Sequence, residues 1–197
     1  MTCQYGSGIR VWKKSSPPPS LKRYKFEKDT IWTVPDGVTS VFVSVAGGGG
    51  GGYDSGVDIH PGRIISGGAG GSVMQMPLTL TPEENVNIKV GQGGPPNRHG
   101  FASSFGNYIF CEGGYSSNTG GPQGGACGGE SKRSPSGVYI QVNGDSGGNA
   151  PEPATPIGYG KGGASHRCSG CFGVYGYYDK AHGLKGDDGV VIIDALY

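Results

Sequence analysis

The chain has 197 residues, which is enough for one domain with a hydrophobic core and an appendage. Its 42 glycines and 14 prolines are typical of low-complexity chains, but 16 basic and 15 acidic residues nearly cancel, so net charge does not favour disorder. No stretch approaches the length of about 18 consecutive apolar residues that a membrane-spanning helix needs, and no apolar signal core follows Met1. We therefore expect a protein that is made in the cytoplasm and does not insert into membranes.

The first 23 residues form a basic arm that contains proline. Residues 1–28 carry seven basic side chains against the acidic Glu27, and the prolines of "SSPPPS" favour an extended polyproline II stretch. A flexible tail is the alternative interpretation. We expect residues 1–23 to dock on an acidic protein surface, with Trp12 as an apolar anchor beside Lys13 and Lys14. The charge is too sparse, and too little interleaved with aromatic residues, to predict nucleic-acid binding.

Strands are predicted from Tyr24 onwards, where residues 24–197 form the expected domain. Alternating apolar residues predict strands at about 31–45, around an Asp36-Gly37 turn, and at about 73–90. "GNYIFCEGG" predicts a further short strand, and "GVVIIDALY" predicts a buried strand at 189–194. No stretch shows sustained helical periodicity with caps. The expected fold is mostly β, with the terminal strand pairing with the strands near residues 24–45.

The glycine runs lie in a long excursion between these strands, over residues 47–188, and begin with six consecutive glycines in "VAGGGGGGYD". Polyproline II geometry has three residues per turn and no internal hydrogen bonds, so buried segments of this kind must bond to neighbouring segments. Side chains would hold such backbones apart, and the strict Gly-X-Y period of collagen is missing. We therefore predict a small antiparallel sheet or sandwich that clamps a bundle of polyglycine II helices.

Two motifs suggest chemistry that the rest of the chain does not support. "GDSGG" spells the nucleophile sequence of trypsin-like serine proteases around Ser146, but His60 and His99 stand in contexts that do not match a triad base. We predict that the protein is not an enzyme. Cys168 and Cys171 have C-x-x-C spacing, but strong zinc sites usually carry a second such pair.

The five cysteines are an odd number without a secretory signal and are expected to be thiols. We expect no metal and no cofactor. A disulfide or a metal ion between Cys168 and Cys171 remains the alternative for this pair.

Four stretches resemble the glycine-rich domain at phage tail-fibre tips, over roughly residues 30–194. They are "WTVPDGVTSVFVSVAGGGGGG", "GGAGGSVMQMPLTLTPEENVNIKVGQGG", "SSFGNYIFCEGG" and "GDDGVVII". The chain is also similar to the distal tail-fibre adhesins of T-even-like phages, in which a sandwich of polyglycine II helices carries variable loops. The resemblance implies a virion protein of the tail that recognises a receptor on the bacterial surface, either an outer-membrane protein or a polysaccharide.

Mounting on a larger fibre or baseplate protein is the other partnership that the resemblance implies, and residues 1–23 match no attachment domain of the family. The alternative function is that of a structural virion protein, a cap or decoration with no receptor role. An ice-binding bundle is a third alternative, against which the charged and aromatic insertions count.

Receptor contact requires side chains that glycine rods lack, so it is expected in the insertions between the rods. Tyrosine offers a large area, a polar tip and little rotamer entropy. The candidate receptor-binding residues are Phe172, Tyr175, Tyr177 and Tyr178, followed by Tyr53, Ile59, His60 and Tyr159. We expect Tyr177 and Tyr178 at the exposed end away from the sheet; the alternative is that these rings pack flat on the bundle.

Overall fold

The computed structural model describes residues 20–54, 66–116, 141–142, 157–173 and 176–197. Within these ranges the chain forms eleven strands and no helix, which confirms the prediction of a mostly β protein. The strands are β1 (Leu21–Phe26), β2 (Thr30–Thr33), β3 (Ser40–Ala46), β4 (Ser72–Thr79), β5 (Asn85–Lys89), β6 (Ser103–Phe105), β7 (Ile109–Cys111), β8 (Gln141–Val142), β9 (Ser165–Gly173), β10 (Gly176–Gly183) and β11 (Val190–Leu196).

The first sheet contains five antiparallel strands in the order β1-β11-β3-β4-β8. The terminal strand β11 lies between β1 and β3, with Ile193 opposite Tyr24 on one side and Val43 on the other. This confirms that the last apolar run pairs with the strands near residues 24–45. β1 begins at Leu21, so Arg23 belongs to the first sheet together with Tyr24.

The second sheet contains four antiparallel strands in the order β2-β5-β6-β7. The predicted strand regions 31–45 and 73–90 are each divided between the two sheets, because β2 and β5 pair here whereas β3 and β4 belong to the first sheet. The chain changes layer at the turn after Thr33, where Gly37 has a φ of 77°. The physical reason is that one apolar sheet face must be covered by a second layer.

The hydrophobic core lies between the two sheets, where alternate residues of each strand point inward. The first sheet contributes Val41, Val43, Val45, Met76, Val191 and Ile193, and the second contributes Trp32, Val86, Ile88, Phe105 and Ile109. Burial of a side chain of this size stabilises the fold by roughly 1.5–3 kcal/mol. Cys111 of β7 lies in the same core as a free thiol, and burial raises its pKa to about 12, so it stays protonated.

The glycine run at residues 47–52 continues directly from β3 and is surrounded by six other chain segments, which together form the glycine bundle. Three of them, 66–71, 98–102 and 184–189, run antiparallel to the central run, and three, 91–97, 112–116 and 160–164, run parallel to it. Neighbouring outer segments also bond to one another, as Gly67 does to Gly163 and Gly100 to Gly114. The central run is therefore enclosed on all sides by backbone.

The hydrogen bonds of the central run repeat every three residues. Gly47 and Gly50 donate to segment 66–71, Gly48 and Gly51 to segment 98–102, and Gly49 and Gly52 to segment 184–189, at N···O distances of 2.8–2.9 Å. The carbonyl oxygens point the other way and accept from the parallel segments, for example from Gly94 and Gly114. A period of three is that of polyproline II geometry, and we interpret the run as a rod of this kind.

Glycine is required in the central run because its neighbours approach within the space of a side chain. A Cβ atom built at any of the six positions overlaps a backbone carbonyl oxygen of an adjacent segment, for example that of Tyr115 at Gly50 and that of Lys161 at Gly49. The obstacle is main chain, which cannot rotate away as a flexible side chain can. The run is therefore a buried structural element.

We expect Gly50→Ala, and more so Gly50→Val, to destabilise the fold by at least about 3 kcal/mol, because the Cβ pushes two hydrogen-bonded backbones apart. The measurement is the free energy of unfolding in denaturant. Gly158→Ala is the matched control, since a Cβ there meets nothing within 4 Å and only the φ of 79° is unfavourable, at a cost of about 1 kcal/mol. Equal losses in the two variants would contradict the buried-rod interpretation.

An ion pair on the outer face of the first sheet links β1 to its neighbour β11. Asp194 is buried, and its two carboxylate oxygens accept from Arg23 Nε at 2.6 Å and Nη2 at 2.8 Å. Gln75, which has a φ of 49° at a register shift of β4 against β3, donates to the same carboxylate at 3.1 Å. The hydrogen bonds from Arg23 lower the pKa of Asp194 below its ordinary value.

We expect Asp194→Asn to destabilise the protein by about 1 kcal/mol at pH 7, because the charge-assisted bonds to Arg23 are lost, and solvent around the largely exposed Arg23 side chain screens their contribution. Since the folded pKa of Asp194 is lowered, its contribution is present above the unfolded value of about 3.9 and is lost as the pH falls through the folded value. Melting temperatures between pH 7 and pH 2 measure both effects. Asp187→Asn, which alters an exposed carboxylate, is the control. It should change neither the melting temperature at pH 7 nor its dependence on pH.

Candidate functional site

The glycine bundle has one end at the sheets and one free end, which is formed by residues 52–54, 66–67, 95–99, 115–116 and the link between Ala164 and Leu184. The central run leaves β3 at Ala46 and reaches this free end at Gly52. Three excursions of the chain depart from here: residues 55–65, the stretch after Ser116, and the β9–β10 hairpin. These three stretches therefore leave the bundle at its free end.

A turn at Pro95 to Arg98 holds the start of the first excursion. Arg98 N donates to Pro95 O at 3.0 Å, and Asn97 has a φ of 61°, a conformation that asparagine tolerates better than most residues. The Asn97 amide oxygen accepts from Asp54 N at 2.9 Å, and its amide nitrogen donates to Asp54 O at 2.7 Å. This pair of bonds fixes the backbone where residues 55–65 begin.

His99, next along the chain, holds the start of the second excursion. Its Nδ1 accepts from Ser116 N at 2.9 Å, so that nitrogen carries no proton in this arrangement. The imidazole also meets the ring of Tyr115 edge to face, with centroids 5.0 Å apart. Asn97 and His99 thus position the departures of two excursions from one short segment.

The β9–β10 hairpin is the third excursion and contains the main predicted receptor residues. It starts at the link where Leu184 N donates to Ala164 O at 2.7 Å, and its pairing runs from Ser165 opposite Gly183 to Gly173 opposite Gly176. Tyr177 pairs with Phe172 and Tyr178 with Cys171, so these positions lie towards the hairpin turn, away from the bundle. Tyr175 lies outside the described residues.

The remaining predicted site residues do not all lie together. Tyr53 is half-buried immediately after the central run, at the free end. Tyr159 lies near the sheets instead, where Lys25 Nζ of β1 is 4.8 Å from its ring centroid. Ile59, His60, Trp12, Lys13 and Lys14 lie outside the described residues.

Sequence reasoning did not find the positioning role of Asn97 and His99. The stretch "GGPPNRHG" contains the signal for it, because Pro-Pro-Asn predicts a turn in which asparagine takes a positive φ. The stretch does not indicate which residues Asn97 and His99 contact, since Asp54, for example, precedes Asn97 by 43 residues.

The described residues hold no group of three or more histidine, cysteine or acidic side chains that could bind a metal ion. Ser146 lies outside them. In the same part of the chain, no helix is long and apolar enough to cross a bilayer.

A protein-family model for a glycine-rich domain matches residues 25–171, which is most of the chain. The chain belongs to this glycine-rich domain family. No curated protein matches it.

We expect His99→Phe to release the start of the second excursion, because phenylalanine keeps a ring against Tyr115 but cannot accept from Ser116 N. Hydrogen exchange of the Ser116 amide should accelerate by about tenfold or more, with little change in melting temperature. Tyr115→Phe keeps both the ring contact and the acceptor, so exchange should stay unchanged. Unchanged exchange in His99→Phe would show that the imidazole does not hold Ser116.

Proposed function

We propose that the protein is an adhesin of a phage tail fibre or tail tip, which binds a receptor on the bacterial surface through the excursions at the free end of the glycine bundle. The observation that carries this proposal is the departure of three excursions from one end of a rigid backbone scaffold. Binding residues are commonly carried on loops that a rigid scaffold positions.

The position at which residues 1–19 join the domain supports the same proposal. β11 leaves the bundle at Val190 and ends at Leu196, where Tyr197 N donates to Ser20 O at 2.9 Å. Residues 1–19 therefore join the domain at the end of the first sheet that is remote from the bundle. An attachment arm and a receptor surface at opposite poles suit a protein that links a virion to a cell.

The composition of the third excursion supports it as well. The β9–β10 hairpin sets Tyr177 beside Phe172 in register, next to Tyr178, and glycines alternate with these rings. Tyrosines of this kind provide adaptable contact area at little conformational cost. The candidate receptor class, protein or polysaccharide, follows from the family resemblance alone.

The test is binding of the fluorescently labelled protein to a panel of intact bacterial strains, with unlabelled protein as competitor. We expect saturable binding to some strains, and loss of at least about tenfold in affinity for the double variant Tyr177→Ser, Tyr178→Ser, with its melting temperature nearly unchanged. Tyr159→Ser makes the same substitution near the sheets and should bind normally.

Two outcomes would contradict the proposal. If no strain binds, a structural virion protein without a receptor role becomes the better interpretation. If the double variant loses stability instead of affinity, the rings are packing residues and the receptor surface lies in another excursion.

A further inference from the structure

Two side chains near the free end hold two excursions of the chain, and only one of these side chains can change its charge. Asn97 exchanges two hydrogen bonds with the backbone of Asp54, at 2.9 and 2.7 Å. His99 Nδ1 accepts from Ser116 N at 2.9 Å. A side-chain amide does not titrate, whereas histidine is the side chain that ordinarily gains a proton between about pH 8 and pH 5. The two excursions are therefore held by bonds that differ in their sensitivity to pH.

The bond to His99 lies one residue beyond the backbone bonds of the glycine bundle. In segment 112–116 those bonds reach Tyr115, whose carbonyl oxygen accepts from Gly68 N at 2.9 Å. Among the described residues, the acceptor for the next amide, Ser116 N, is His99. Ser116 is buried, so its N–H group is left without a partner when that acceptor is lost. Loss of the acceptor therefore favours movement of Ser116 towards water.

Protonation of His99 removes this acceptor. A neutral imidazole has one nitrogen that donates and one that accepts, whereas an imidazolium donates from both. The added proton on Nδ1 would point at the N–H group of Ser116, so the two donors would repel each other. His99 is exposed, and it can exchange protons with the solvent while the domain stays folded.

Ionisable side chains on the elements packed against His99 influence when it gains this proton. Within the described residues they are Arg98 in its own segment, Glu112 and Tyr115 in segment 112–116, and Tyr53 and Asp54 after the central run. Tyr115 meets the imidazole edge to face, with ring centroids 5.0 Å apart. The charges among these groups set the pH at which protonation occurs, and they leave its consequence for the hydrogen bond unchanged.

We propose that His99 is a pH-dependent latch, whose protonation releases the start of the second excursion while Asn97 keeps the first excursion in place. The release reverses as the pH rises, because the neutral imidazole accepts from Ser116 N again. The release is a property of the protein alone. Its consequence, that acidification alters the receptor surface at the free end, rests on the proposed function.

The test is amide hydrogen exchange of the full chain at pH 7.5 and pH 5, followed by NMR. Each rate is divided into the rate of an unstructured chain at the same pH, which removes the intrinsic pH dependence of exchange. We expect the protection of the Ser116 amide to fall by about tenfold at pH 5, while that of the Asp54 amide stays unchanged. The ring resonances of His99 report its protonation in the same spectra.

Two variants show whether the imidazole is responsible. His99→Asn places an oxygen on Cγ, where Nδ1 is attached in histidine, and this oxygen accepts without titrating. Its Ser116 protection should therefore be equal at the two pH values. His99→Phe has no acceptor and should show the released level at both.

Equal protection of Ser116 at the two pH values in the unmodified protein would overturn the proposal. A fall of the same size in His99→Asn would also overturn it, because another group would then be responsible. A parallel loss of protection at Asp54 would do the same, since it would show a general loosening of the free end.

Binding of labelled protein to intact bacterial strains at the two pH values tests the consequence for the receptor surface. We expect the affinity of the unmodified protein to change with pH and that of His99→Asn to stay constant. The same pH dependence in both proteins would overturn the regulatory role of His99. Absence of binding to any strain at either pH would contradict the proposed function, and the exchange measurement would still decide whether the latch exists.

Discussion

The structure depends on direct contact between backbones that carry no side chains. At each of the six positions of the central glycine run, a neighbouring carbonyl oxygen occupies the place that a Cβ would take. This closeness lets the N–H groups reach carbonyls on three antiparallel segments while the C=O groups accept from three parallel ones. Ordering glycine costs more backbone entropy than ordering other residues, and here a dense hydrogen-bond network offsets that cost. A single added methyl group would hold these backbones apart and break the hydrogen bonds between them.

The two sheets supply the buried apolar side chains that the glycine bundle lacks. Glycine segments bury almost no side-chain area, so the apolar contribution comes from the core between the sheets, with residues such as Val43, Trp32 and Phe105. The rods begin and end in those strands: β3 runs into the central run, β5 into segment 91–97, and segment 184–189 into β11. The bundle is thereby anchored at one end and open at the other, so function is proposed where the excursions leave it.

Two kinds of surface result from this arrangement. At the free end the scaffold is backbone, and single side chains such as Asn97 and His99 hold the excursions where they depart. On the outer face of the second sheet the side chains themselves form the surface, because strand alternation turns Asn87, Lys89 and Phe110 outward. The first surface therefore depends on a few anchoring side chains, whereas the second is tied to the register of four strands.

The sequence alone determined the strand positions with clear alternation, such as Val41 to Val45 and the terminal "VVII", and the need for glycine at residues 47–52. It also determined the antiparallel pairing of the last strand with the first ones, because an apolar run buried on both faces needs partners on both sides. The tertiary structure decided the division into two sheets, the inclusion of residues 21–23 in the first sheet, and which segments of the glycine bundle are neighbours. Consecutive glycines are chemically identical, so no local pattern specifies which segments lie side by side. The contacts of Asp54 with Asn97 and of Ser116 with His99 arise only when the sheets fix where the rods end.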